Sequence, residues 1–152
     1  MAVRVQTELF DAGRETADLG AGHVDAGAVV TFTGLCRPNA DSGAPLEALT
    51  LECYPEMAKE ELSRIEAEAR ARWPLLDALI VHRHGRIRPG EPIVLVATLS
   101  PHRAAAFAAA EFVMDYLKTS APFWKREETA DGGAWVAAKA ADDDALERWS
   151  RR

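Results

Sequence analysis

The chain has 152 residues, 48% of them hydrophobic and 28% charged, which is enough to bury the core of one soluble globular domain. Its formal net charge of −6 argues against a general nucleic-acid binder, which would usually carry a basic face. Two cysteines are too few for a disulfide framework, the N-terminus has no signal-peptide pattern, and no apolar run reaches the ~18 residues of a membrane helix. We therefore expect a single cytoplasmic domain over residues 1–152.

The hydrophobic pattern predicts a series of short strands. They are residues 3–9, 27–36, 46–54, 78–82, 93–99, 123–129 and 134–138. Residues 27–36 are rich in β-branched side chains and predict a buried strand, in which Gly34 marks a bulge or a close backbone approach. This strand and residues 46–54 flank a loop dense in turn residues, so we expect the two strands to form a long hairpin. The nearly continuous apolar segments 78–82 and 93–99 are expected to be buried on both faces.

Helical spacing predicts two main helices and two short ones. Residues 55–73 are amphipathic, and residues 100–121 are apolar over most of the helix circumference, which is typical of a buried helix. Residues 14–20 and 142–149 predict the short helices. Because the strands outnumber the helices and mostly follow one another as hairpins, we predict an α+β fold, a mainly antiparallel sheet with the two main helices packed on it.

The helix at residues 100–121 begins with two potential cations. Ser100 can cap its first backbone N–H groups, and Pro101 fits the first helical position. His102 and Arg103 then lie at the positive end of the helix dipole, which disfavours the helix unless an anion binds there. Because a helix N-terminus is a natural phosphate site, we favour anion binding over contacts with a neighbouring carbonyl or a distant acid.

Lys118 and Lys125 are the residues best suited to chemistry. Burial or a nearby cation lowers the pKa of a lysine and makes the neutral amine available as a base or nucleophile. Lys118 lies on the side of the helix that carries Glu111 and Asp115, so an ordinary salt bridge with either acid is an equal alternative. Glu127 could orient a basic group or could simply alternate across a strand.

Five other residues are weaker candidates. Arg37 stands where a strand meets a loop, a common place for a binding group, but alone it is little better than a surface arginine. His82 and His84 share a strand face, yet no third ligand lies close by and the surrounding arginines would repel a metal ion. Cys36 and Cys53 lie in apolar strands, where cysteine is usually a small core residue rather than a sulfur carrier.

Six segments, which together span most of the chain, carry a resemblance to a known family. They are GAVVTFTGLCR at residues 27–37, LTLECYPEMA at 49–58, RWPL at 72–75, VHRHGRIRPGE at 81–91, SPHR at 100–103 and FVMDYLKTSAPFWKRE at 112–127. In this order they resemble the large, catalytic subunit of molybdopterin synthase, the MoaE family. The last segment is the most specific, because two lysines, a proline and a tryptophan recur in it at fixed spacing.

The resemblance implies an α/β-hammerhead type of fold and a sulfur-transfer reaction. In this family a small ubiquitin-like subunit of the MoaD type delivers sulfur as a thiocarboxylate on its C-terminal Gly-Gly tail. The large subunit binds cyclic pyranopterin monophosphate and places two sulfurs on it, which gives the dithiolene of molybdopterin. Two large subunits pair at the centre of a heterotetramer that carries a small subunit at each end. No cofactor, metal, nucleic acid or membrane is expected to take part.

The functional residues of the family fall on nine positions of this chain. They are the essential lysines Lys118 and Lys125, the substrate-anchoring Arg37, His102 and Arg103, the pocket-lining Arg126 and Glu127, and Leu35 and Cys36 on the backbone that leads into the arginine. Lys139 departs from the family pattern, because an arginine is common at its position. A second phosphate contact at Lys139 is therefore left open.

The residues and the resemblance together suggest a mechanism. Arg37, His102 and Arg103 would hold the substrate phosphate by charge-assisted contacts. Lys118 would lie beside the incoming thiocarboxylate, and Lys125 would act as acid or base on the pterin side chain. Two alternatives are a non-catalytic module that docks a ubiquitin-like partner and an unrelated phosphate-binding enzyme.

Overall fold

The computed structural model of the chain describes residues 2–136 and 140–150, which form eight strands and four helices in an α+β arrangement. In chain order these are β1 Ala2–Gln6, α1 Ala12–Gly20, β2 Ala28–Leu35, β3 Leu46–Glu52, α2 Pro55–Arg72, β4 Asp77–Arg83, β5 Gly85–Ile87, β6 Pro92–Ser100, α3 Arg103–Thr119, β7 Trp124–Thr129, β8 Gly132–Val136 and α4 Ala140–Ser150. Each expected strand and helix is present, and β5 is an additional short strand. The last two residues of the predicted strand 134–138, and Lys139 after them, lie outside the described residues.

The first sheet has the strand order β1-β4-β6-β2. β1 is parallel to β4, and the other neighbours are antiparallel. The central strands β4 and β6 are covered on both faces, as the sequence predicts. One face packs on α2 and α3 through Ile80, Val94 and Val96, and the other packs on α1 through Leu79 and Leu95. These two layers form the main core.

The second sheet has the order β5-β3-β7-β8, and all its neighbours are antiparallel. A smaller apolar cluster packs against it, to which Leu49, Leu51, Ile87 and Cys36 belong. Gly85 adopts a φ of 90°, a conformation that favours glycine, where the chain passes from β4 in the first sheet to β5 in the second. The chain then returns to the first sheet with β6.

The predicted hairpin between residues 27–36 and 46–54 is wrong. β2 pairs with β6, whereas β3 pairs with β5 and β7, so the two strands lie in different sheets. At Gly34 the β2–β6 register shifts, and a Cβ atom there would come within 2.8 Å of Val94 Cγ1. The expected irregularity at Gly34, a bulge or a close approach, is thus confirmed, and Leu35 after it still pairs with Pro92 of β6.

The expectation that residues 27–36 form a buried strand is also wrong. β2 lies at an edge of its sheet, and the side chains of Val29 and Phe32 are 48% and 43% exposed. A run of β-branched residues indicates a strand, but it does not tell an edge strand from a central one, because the burial of each face depends on what packs there.

The central helix α3 begins later than predicted, at Arg103. Ser100 ends β6 instead of capping the helix: its Oγ donates to the carbonyl oxygen of Pro74 at 3.0 Å and accepts from the N–H of His102. The apolar circumference of α3 is buried as expected, against β2, β6, α2 and α4. Within the described ranges, no helix has the length and apolarity needed to cross a membrane.

Candidate functional site

A cavity of about 720 Å³ opens where β2 leaves the first sheet, α3 ends and β7 begins. Apolar side chains from both cores, among them Leu49, Ile93 and Leu117, form part of its wall. Six of the nine predicted site residues line it: Leu35, Cys36, Arg37, Lys118, Lys125 and Glu127. The fold therefore brings a strand end, a loop, a helix end and a second strand together around one open cavity.

Lys118 lies on the last turn of α3 and faces the cavity. The two acids on its side of the helix are engaged elsewhere: Arg148 of α4 lies 2.9 Å from Glu111 and 2.7 Å from Asp115. Within residues 2–136 and 140–150, Lys118 forms no salt bridge. The alternative in which Lys118 is a salt-bridge partner of Glu111 or Asp115 is therefore not what the structure shows.

Lys125 lies on β7 and is partly buried in the wall of the cavity. Burial is the main cause that lowers the pKa of its amine, and the positive charges of Arg37 and Lys118 lower it further. The negative charges of Asp41 and Glu127 oppose this shift. The neutral amine of Lys125 is consequently easier to form than that of an exposed lysine, which suits an acid or base.

The loop that carries Arg37 is tied to β7. The buried carboxylate of Glu127 accepts hydrogen bonds from the backbone N–H of Asp41, and the side chain of Asp41 forms an ion pair of 3.5 Å with Arg37. Glu127 therefore does more than alternate across a strand: it fixes the loop that bears Arg37 beside Lys125. The contact of Glu127 is with the backbone of Asp41, so the orientation of a basic group by Glu127 stays a prediction.

Three predicted site residues do not reach the cavity of their own chain. His102 and Arg103 are exposed at the other end of α3, and the helical rise separates Arg103 from Lys118 by roughly 22 Å. Arg126 is exposed on β7, and its guanidinium lies over Gly133 of β8. Within one chain, α3 holds His102 and Arg103 away from the cavity that Arg37 lines, so the joint contact of these three residues with a phosphate stays a prediction.

His82 also lines the cavity, although the sequence analysis considered for it only a metal site and argued against one. Its Nδ1 donates to the carbonyl oxygen of Arg83 at 2.8 Å, and its ring is stacked on that of Phe123. Burial lowers its pKa to about 4, and the charge of nearby Lys118 adds to this shift. Among the described residues there is no cluster of three or more possible metal ligands. A histidine inside an otherwise apolar strand was the signal that could have identified it.

Cys36 and Cys53 are free thiols. Cys36 is buried beside the cavity, where its Sγ lies 3.7 Å from the carbonyl oxygen of Arg37. Burial raises the pKa of both thiols, and for Cys36 the charge of Lys125 opposes that shift. Cys36 belongs to the apolar cluster of the second sheet, as expected of a core residue, whereas Cys53 follows the end of β3 and is only partly buried. A protonated thiol is a poor nucleophile, which argues against either residue as a sulfur carrier.

Comparisons with known proteins agree on one family. Residues 5–120 match the family model described as MoaE protein. The molybdopterin synthase catalytic subunit of Cereibacter sphaeroides is 56% identical over 149 residues, which cover 98% of this chain and 100% of that protein.

Two solved structures resemble the chain closely. The molybdopterin biosynthesis MoaE protein of Burkholderia ambifaria is 49% identical, with a TM-score of 0.83 and coverage of 99% of this chain and 98% of that one. Molybdopterin synthase from Staphylococcus aureus is 33% identical, with a TM-score of 0.81 and coverage of 88% and 96%.

Proposed function

The chain belongs to the MoaE family, and from that premise we propose that it is the catalytic subunit of a molybdopterin synthase. In this role it receives sulfur from the thiocarboxylated tail of a small ubiquitin-like subunit and places two sulfurs on cyclic pyranopterin monophosphate. The observation that carries the proposal is the meeting of Lys118, Lys125 and Arg37 in one cavity of an acidic protein. A cationic cavity suits two anionic reactants, a thiocarboxylate and a phosphate.

The two lysines have different roles, because their surroundings differ. Lys118 faces the cavity from the helix end, and its ammonium group binds the anionic thiocarboxylate. Lys125 has the lowered pKa and exchanges a proton with the pterin side chain while the carbon–sulfur bond forms. Arg37, kept in place by Asp41 and Glu127, contacts the anionic substrate from the loop side.

A second copy of the chain is needed to complete phosphate binding by His102 and Arg103. Both side chains are exposed, and both lie at the end of α3 remote from their own cavity. We therefore propose that, in the central dimer expected for the family, each chain offers these residues to the cavity of its partner. This arrangement keeps the predicted anion-binding role and accommodates the roughly 22 Å that separate Arg103 from Lys118 in one chain.

We also propose the cytoplasm as the place of this reaction. Both cysteines are free, which is usual where thiols are kept reduced. A thiocarboxylate is itself readily oxidised and would be best preserved there.

The experiment that tests the function is reconstitution from three purified components. The chain is mixed with thiocarboxylated small subunit and cyclic pyranopterin monophosphate, and molybdopterin is measured. We expect product only when all three are present, and none when the small subunit carries an ordinary carboxylate. Binding of the small subunit without any product would contradict the proposal and support a docking module.

A further inference from the structure

The stacked pair of His82 and Phe123 joins two walls of the cavity. The ring centroids are 3.9 Å apart, and the ring planes differ by 14°. His82 belongs to β4 in the first sheet, whereas Phe123 immediately precedes β7 in the second. Both residues line the cavity together with Lys118 and Lys125. The pair is thus a contact between the two sheets at the proposed reaction site.

The ring of His82 is fixed from its own strand. A carbonyl oxygen can only accept a hydrogen bond, so the contact of 2.8 Å with Arg83 places the proton of the neutral ring on Nδ1. Burial is the main cause that lowers the pKa of this imidazole to about 4, so the ring carries no charge near neutral pH. A neutral ring can stand beside Lys118 without repelling it, and it offers Phe123 a rigid flat surface.

Phe123 lies in the short segment that connects the two lysines. Lys118 is on the last turn of α3, Lys125 is the second residue of β7, and residues 120–123 join these elements. The N–H of Phe123 donates to the carbonyl oxygen of Ala121 at 2.8 Å, which tightens the connection. Phe123 is therefore the point at which this connection is held against β4, through its stack on His82.

We propose that His82 is a positioning residue of the sulfur-transfer site, which holds Phe123 by ring stacking and thereby sets the separation of Lys118 and Lys125. The kinetic consequences of this role rest on the proposed function. Its structural consequences rest on the geometry alone. His82 itself needs no contact with either reactant.

A double-mutant cycle tests the kinetic part. His82→Leu and Phe123→Leu keep apolar volume in the cavity wall but remove the stacked pair. We expect each to lower the single-turnover rate of sulfur transfer by about 10- to 100-fold, because small misplacements of reacting groups are costly. The double variant should fall no further than the slower single variant, since the two residues act through one contact.

Two further variants separate positioning from other roles. His82→Phe restores a flat ring without a titrating group, and it should recover most of the rate that His82→Leu loses. His84→Leu is the matched control, because His84 lies two residues further along and does not line the cavity. Its rate should equal that of the unaltered protein. A His82→Phe variant as slow as His82→Leu, or independent and multiplying effects in the double variant, would overturn the proposal.

Lysine titration gives a second readout that needs no turnover. The chain has only four lysines, so carbon-13 labelling at Cε allows the Lys125 signal to be followed by NMR. In His82→Leu the pKa of Lys125 should move up towards its ordinary value, because the loosened wall admits water and lets Lys118 move away. A variant that is merely less stable would leave this pKa unchanged, and an unchanged pKa would contradict the proposal. If the unaltered protein makes no molybdopterin, the proposed function fails, while this titration still decides the role of His82.

Discussion

The backbone N–H of Asp41 donates to both carboxylate oxygens of Glu127, at 3.2 and 3.3 Å. Asp41 belongs to the loop between the two sheets, and Glu127 is a buried residue of β7. The contact closes that loop over the strand that carries Lys125. The carboxylate of Glu127 thus adds a negative charge to a cavity that holds an excess of positive charge. It orders the loop, and it also limits the lowering of the Lys125 pKa.

Replacing Glu127 by Gln should weaken substrate binding without unfolding the protein. The amide keeps one acceptor oxygen for the Asp41 N–H but loses the charge, and charge-assisted hydrogen bonds are about twice as strong as neutral ones. We expect a loss of roughly 1 to 2 kcal/mol in stability. We also expect weaker binding of cyclic pyranopterin monophosphate in calorimetry, because the loosened loop no longer holds Arg37 in place, and this loss should exceed the gain from a more positive cavity. Glu128→Gln is the control, because the ion pair that Glu128 forms with Arg86 is half-exposed and worth about 0 to 1 kcal/mol. Equal effects of both variants would contradict this assignment.

Lys118→Ala should abolish sulfur transfer while the fold and the binding of the small subunit are retained. Lys118 forms no salt bridge within the described residues, so its removal leaves no buried partner unsatisfied. Loss of a group that positions or protonates a reacting atom typically costs at least 10²-fold in rate. Lys59→Ala, an exposed lysine of α2, is the matched control and should keep full activity. Product formation near the normal rate by Lys118→Ala would show that this lysine is not part of the reaction.

His82 should make the protein sensitive to acid. Its pKa is lowered from 6.5 to about 4 in the folded protein, so the unfolded chain binds the proton more readily as the pH falls through this window. The free energy of unfolding therefore decreases from pH 6.5 to pH 4, by roughly 3 kcal/mol for this residue alone. Denaturant titrations at several pH values in this range give the free energy of unfolding as a function of pH. This free energy should fall less steeply with decreasing pH in His82→Phe than in the unaltered protein.

The sequence was informative where a pattern is local. The burial of α3 follows from its apolar circumference, and the bulge at Gly34 follows from glycine inside a strand. That Lys118 and Lys125 belong to one site was expected only from the family resemblance. The residues alone left a salt bridge of Lys118 with Glu111 or Asp115 equally open. Arg148, which takes up both acids, is remote in sequence and only the packing of α4 on α3 reveals it.

Contacts between the two sheets could not be predicted. The assignment of β2 and β3 to different sheets depends on long-range pairing with β6 and β7, for which no short segment carries a signal. The stacking of His82 on Phe123 depends on the same arrangement. The distance between His102 and Lys118 was in principle accessible, because the helical rise fixes it once the helix is assigned.

Gly27 should tolerate no side chain, because its backbone lies too close to that of residues 100–101, just before α3. Its N–H donates to the carbonyl oxygen of Ser100 at 3.0 Å, and a Cβ atom there would collide with the carbonyl oxygen of Pro101 and lie 2.9 Å from its carbonyl carbon. Both groups are backbone, so neither can rotate away. Gly27→Ala should therefore lower the free energy of unfolding by about 1 to 3 kcal/mol, as overpacking does.

The matched control is Gly20→Ala at the end of α1. No atom lies within 4 Å of a Cβ placed at Gly20, and alanine is the better helix former, so this variant should be as stable as the unaltered protein or slightly more stable. Because the contact of Gly27 with residues 100–101 also places His102 and Arg103, Gly27→Ala should weaken phosphate binding in the assembled dimer, whereas Gly20→Ala should not. Denaturant unfolding and substrate calorimetry on both variants check this, and equal behaviour of the two would show that the close approach at Gly27 has no structural consequence.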